Sequence, residues 1–67
     1  MSKESYMIES LTREVIVRLM EEDGLTMREA MDKFYGSKTY DSLTQTETGL
    51  YFQSASYIYD ELLQEAN

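Results

Sequence analysis

The chain has 67 residues and contains no histidine, cysteine, proline or tryptophan, which excludes imidazole bases, thiolate nucleophiles, disulfide staples and the usual zinc ligand sets. Six lysines and arginines stand against 13 aspartates and glutamates, a formal net charge of -7, which repels phosphate backbones and anionic lipid headgroups and argues against nucleic-acid and membrane partners. A chain this short reads as one domain, residues 1–67, that buries only about 60% of the surface its unfolded form exposes, so a bound partner would add to a marginal stability.

All six bases lie between Lys3 and Lys38, while residues 39–67 carry Asp41, Glu47, Asp60, Glu61 and Glu65 with no base. That half is purely anionic. No run approaches the roughly 18 to 20 apolar residues that span a bilayer, and the opening Met1-Ser2-Lys3-Glu4-Ser5 lacks the apolar core of a signal peptide. The expected location is the cytoplasm.

In chain order, residues 3–23 read as one amphipathic helix, because Ile8, Leu11, Val15 and Leu19 recur at three- and four-residue spacings. Gly24 supplies a left-handed stop. Glu21, Glu22 and Asp23 crowd that helix's C-terminal end, where negative charge opposes the helix dipole. Thr26-Met27-Arg28-Glu29 fits a capping box, in which the threonine hydroxyl accepts from the glutamate amide and the glutamate carboxylate accepts from the threonine amide. A second helix follows, with Met27, Ala30, Met31 and Phe34 as its apolar stripe, Leu25 as a staple toward Ala30, and Gly36 as its stop signal. The first two helices therefore form a hairpin.

Residues 37–43 can open a single helical turn through their serines and threonine. Residues 44–48 form a threonine-rich loop ending at Gly49, and Leu50-Tyr51-Phe52, of strong strand propensity, has no strand partner. It is expected as an irregular aromatic arm, with Leu50 and Phe52 turned inward and Tyr51 outward. Ser54 or Ser56 caps a last helix reaching Glu65, with Ala55, Ile58, Tyr59, Leu62 and Ala66 on one face and Asp60 and Glu61 near its first turns. The fold class is all-α: a small bundle of three longer helices plus a short helical turn and the arm.

Chemistry finds little to work with. Glu21-Glu22-Asp23 has oxygen ligands for a hard cation but neither alternating Asp-x-Asp spacing nor a calcium loop. No glycine-rich phosphate loop or nucleophile elbow is present. Any two carboxylates could be paired for acid-base work, with Asp60-Glu61 the least poor choice, but a chain this small has little interior in which to enclose them. A helix-turn-helix reading fails on charge, since Arg28 and Lys33 are the second helix's only bases. The chain reads as a non-enzyme without metal or cofactor.

Recognition fits better. Five of the six tyrosines lie at positions 35, 40, 51, 57 and 59, and tyrosine gives a large, stiff contact area with a polar tip. Tyr59 shares a stripe with Ile58 and Leu62, whereas Tyr57 projects away from it. On the first helix, Tyr6, Val17 and Met20 form a second apolar stripe, and two apolar faces need two partners. The candidate protein-interface residues are therefore Tyr6, Val17, Met20, Tyr51 and Tyr57.

Residues 48–54, Thr-Gly-Leu-Tyr-Phe-Gln-Ser, are similar at their end to the recognition site of a potyviral protease, although Thr48 stands where that site wants glutamate. The segment continues into a periodic helix and reads as native sequence. Leu25-Thr26-Met27-Arg28-Glu29-Ala30, Lys38-Thr39-Tyr40-Asp41-Ser42-Leu43 and Thr48-Gly49-Leu50-Tyr51, with Ser54 and Tyr57, resemble a family of short bacterial proteins of unknown function. The resemblance covers nearly the whole chain. It implies an accessory or antitoxin-like role beside ADP-ribosyltransferase-like proteins and brings no catalytic residues with it. The expected function is a protein-interaction module that self-associates or binds a basic protein partner. The alternative is a small-molecule or peptide binder that uses the aromatic arm and last helix as a groove.

Overall fold

A computed structural model describes residues 2–65, among which there are four α-helices and no strand: α1 (Lys3–Asp23), α2 (Met27–Tyr35), α3 (Lys38–Thr44) and α4 (Ala55–Glu65). Two 3-10 turns, Thr46–Thr48 and Leu50–Phe52, connect α3 to α4.

Local chemistry sets the helix ends. Ser2 caps α1 by accepting the Ser5 amide at 3.1 Å, and Gly24 ends it at φ 69, its N–H donating to the Leu19 carbonyl. The capping box of α2 is complete: Glu29 N–H donates to Thr26 Oγ1 at 3.1 Å and Thr26 N–H to Glu29 Oε1 at 2.9 Å. These hydrogen bonds hold the Glu29 carboxyl below its ordinary value. At Gly36 α2 stops with φ -88, outside the left-handed region used at Gly24. Gly36 is still the residue that stops the helix, its N–H donating to the Asp32 carbonyl at 3.2 Å, and Ser37 beside it adds a second lock: its hydroxyl donates to the Phe34 carbonyl at 2.5 Å and accepts the Tyr40 amide at 3.0 Å. One serine thus ties the end of α2 to the start of α3. That helix runs for seven residues, beyond the single turn expected.

The 50–52 segment differs from the extended arm expected of it. Gly49, at φ 71, reverses the chain, and the Phe52 and Gln53 amides close a 3-10 turn on the Gly49 and Leu50 carbonyls at 3.1 and 3.0 Å. Strand period would put Leu50 and Phe52 on one side, whereas a three-residue period separates them. Leu50 and Tyr51 accordingly pack against the core while Phe52 is 70% exposed, reversing the inward role expected of Phe52 and the outward role expected of Tyr51. Ser54 caps α4 by accepting the Tyr57 amide at 3.1 Å. Because α4 starts at Ala55, Asp60 and Glu61 lie beyond its first turn, which carries no acid. Ala66, placed on the α4 stripe by its spacing, lies outside the described residues.

All four helices feed one core: Leu11, Val15 and Leu19 from α1, Ala30 and Phe34 from α2, Leu43 from α3, and Ile58, Tyr59 and Leu62 from α4. Phe34 is fully buried and meets Tyr40 edge-on, with ring centroids 5.3 Å apart. Two polar contacts lock the periphery. The Tyr59 hydroxyl donates to Asp23 Oδ1 at 2.7 Å while Lys33 Nζ lies 3.9 Å from Asp23 Oδ2, so the acid that opposes the α1 dipole anchors α4 and α2. At the other end, Glu65 accepts the Lys38 and Thr39 amides at 2.8 and 2.7 Å and the Thr39 hydroxyl, joining the end of α4 to the free amides at the start of α3.

Candidate interaction surface

The α1–α2 hairpin leaves an open apolar groove of about 490 Å³ along one side, lined also by Tyr40 of α3. Its α1 wall comprises Ile8, Glu9, Thr12, Arg13, Ile16, Val17 and Met20; its α2 wall comprises Met27, Met31 and Tyr35. The cause is helical geometry. Ala30 and Phe34 take the inward positions of α2, and Met27, Met31 and Tyr35, spaced by four, form the row beside them. Within residues 2–65 that row is only partly covered: Met27 is 59% exposed, and Met31, Tyr35 and Val17 each leave between a third and a half of their surface open. Met27 and Met31 therefore leave the core stripe expected of them. Three methionines, Met20, Met27 and Met31, give the groove a flexible, polarizable lining. The ring of Tyr35 stands edge-on to that of Tyr40, with centroids 5.0 Å apart.

The five candidate residues do not form one patch. Val17 and Met20 line the groove, Met20 half-buried against the core. Tyr6, 68% exposed, instead borders a shallow depression of about 200 Å³ with Met7, Leu11, Tyr51 and Phe52. Tyr51 is half-buried there, its ring 4.3 Å from that of Phe52. Tyr57 is exposed on α4 and lines neither surface. Sequence reasoning missed Met27, Met31 and Tyr35. Their signal was the four-residue repeat on a nine-residue helix, a row too wide for one small neighbour to cover in full.

Charge on the groove is mixed. Glu9 and Arg13 both line it, one turn apart on α1, and the exposed α2 pair Arg28–Asp32 stands at 3.7 Å. The remaining surface is more acidic, because α4 and the 3-10 turns carry no base. Among the described residues, no group of three or more acidic side chains is placed to hold a metal ion, and no helix is long and apolar enough to cross a membrane.

Fold and groove thus define a small all-α protein with an open, methionine-rich face. No protein-family model, no curated protein and no solved structure matches the chain.

Proposed function

We propose that the chain is a protein-interaction module that receives the apolar face of a partner's helical segment in the α1–α2 groove. The observation that carries this reading is the partly open row Met27, Met31 and Tyr35 lining one groove with Val17 and Met20. Helix-in-groove recognition uses such walls, with apolar anchors repeating at three and four residues, and methionine adapts its shape to the anchors it meets. The accessory or antitoxin-like role implied by the resemblance to short bacterial proteins is one form of this reading. It requires a neighbouring gene product that is toxic alone and bound by this chain.

Charge substitutions in the groove test the reading. Val17→Glu and Met31→Glu place a carboxylate on exposed groove positions and should leave the fold intact by circular dichroism. Each should abolish whatever association the wild-type chain shows, with itself by sedimentation or with a protein co-purified from its host, while Gln64→Glu on α4 should preserve it. Associations that survive both groove variants would end the proposal.

A small-molecule reading has one observation in its favour: about 490 Å³ lies within the range of ligand sites. It would place the ligand between α1 and α2 rather than between the aromatic segment and α4. A metabolite screen by thermal shift separates the two, because a ligand raises the unfolding temperature by mass action.

A further inference from the structure

Resting on the groove as the face for an apolar partner, we propose that Met27 and Met31 are modification sites: hydroperoxides convert their thioethers to sulfoxides, which turns the α2 wall polar and closes the groove to that partner while the fold stays intact.

The sequence limits where an oxidant acts. With no cysteine, the chain keeps all its sulfur in five methionines, of which Met7, Met20, Met27 and Met31 lie among the described residues. Access separates these four. Met27 is 59% and Met31 36% exposed, whereas Met20 is half-buried against the core and Met7 is half-buried in the depression beside Tyr51. The two open side chains stand one turn apart on one row of α2, and both line the groove. Neither holds the helix in place. Ala30 and Phe34 supply the α2 share of the core, and the Thr26–Glu29 box caps the helix through groups that carry no sulfur.

The reaction is a two-electron oxygen transfer. A sulfur lone pair attacks the terminal oxygen of the hydroperoxide, and the S–O bond forms as the O–O bond breaks. The proton on the transferred oxygen passes to the departing one, which leaves as water or an alcohol, so sulfur is oxidised and the peroxide reduced. A sulfoxide is polar and accepts hydrogen bonds, so an apolar face laid over it strips it of water and offers no donor in return. On the open groove the same group stays hydrated. Docking and oxidation therefore exclude each other, and methionine sulfoxide reductases return the groove to its apolar state.

Dilute hydrogen peroxide on the full chain, followed by peptide mass spectrometry, should oxidise Met27 and Met31 about fivefold or more faster than Met7 and Met20. The circular dichroism melt should be unchanged while only the first pair has reacted. Docking is read with a fluorescently labelled amphipathic helix of leucines and lysines, whose attraction to a chain of formal charge -7 is the same before and after a neutral modification. Its affinity should fall by about tenfold or more on oxidation and return after treatment with the reductases. Saturating peptide should in turn protect Met27 and Met31 from peroxide. Met27→Gln with Met31→Gln, polar as a sulfoxide is, should bind the peptide as weakly as the oxidised chain. In Met27→Leu with Met31→Leu the affinity, whatever its value, should no longer respond to peroxide. Equal oxidation rates at all four positions, or a peroxide response that survives in the leucine pair, would overturn the proposal. Affinity lost in Val17→Gln but unmoved by oxidation leaves the groove standing and removes the switch. A peptide that no form binds, or that every variant binds equally, removes both.

Discussion

At the scale of single residues, Gly24 and Tyr59 show two ways in which one position carries more than its own packing. Gly24 sits at φ 69 with nothing within 4 Å of where a Cβ would stand, so any cost of a side chain there comes from the backbone alone. Gly24→Ala should lower the unfolding free energy by about 1 kcal/mol, and Gly24→Asn by less, since asparagine tolerates the left-handed conformation; urea titration of the three chains decides it. Tyr59 is buried with its hydroxyl on Asp23, and that hydrogen bond, burial and the nearby Asp23 and Glu22 charges together push its pKa up to about 12, against the pull of Arg18. Its ordinary value is 10.0, so the unfolded chain ionises first as pH rises. The stability this group contributes is complete below about pH 10 and is lost as pH climbs toward 12. In Tyr59→Phe, stability at neutral pH should fall by about 1 kcal/mol and the alkaline decline in unfolding temperature should flatten. A decline unchanged by the substitution would place the alkaline sensitivity elsewhere.

At the scale of elements, the short helices depend on their ends. The nine residues of α2 are too few to persist alone in water, and the Thr26–Glu29 box satisfies amides that the helix itself leaves open. Thr26→Ala should cost about 1 kcal/mol in global stability, read by thermal or urea unfolding. The start of α3 is held differently, by Glu65 from the far end of α4. Burial alone would raise the Glu65 carboxyl, but the Thr39 hydroxyl, the Lys38 and Thr39 amides and the Lys38 charge outweigh it and leave it below 4.5. A lowered native pKa makes this contribution complete above the unfolded value, and it disappears as pH falls through the native one. Glu65→Gln should therefore destabilise the chain at pH 7 and lose part of the wild type's acid-induced fall below about pH 4.5. Parallel acid titrations of the two chains that coincide in shape would refute the assignment.

At the scale of the whole molecule, the division between core and groove is itself testable. Stability for a chain of this size is on the order of 5 kcal/mol. Phe34 is fully buried in the core to which all four helices contribute, so Phe34→Ala, at about 3 to 5 kcal/mol, should leave little folded protein at 37 °C. Met27 lies on the same helix and reads as the same stripe in the sequence, yet it is 59% exposed. Met27→Ala should change the stability of the isolated chain by no more than about 0.5 kcal/mol and act on association instead. Circular dichroism melts of the two variants separate core from face, and comparable losses would mean that the groove is closed in solution by the chain itself.

What the sequence determined by itself is the set of features written in hydrogen bonds and apolar spacing between near neighbours. The Gly24 stop, the Thr26–Glu29 box and most of the inward row, Leu11, Val15 and Leu19, each involve partners a few positions apart, so type and spacing suffice to read them, whereas the choice of Ser54 over Ser56 as the α4 cap and the half-buried place of Ile8 on the groove are settled only by the structure. Tertiary structure decided everything that depended on which surfaces meet. Tyr59 reaches Asp23 across 36 positions and Glu65 reaches Thr39 across 26, separations with no periodic signature. Ala30, Phe34, Met27 and Met31 carry one apolar pattern, and only the placement of α1 and α3 against α2 separates the covered pair from the exposed one. The 50–52 turn follows the same logic: its residues favour a strand, and with no strand to pair with, the backbone satisfies its amides locally and turns Phe52 to the outside. A chain of 67 residues has too few inward positions to cover every apolar row it carries, and the row left over is the groove.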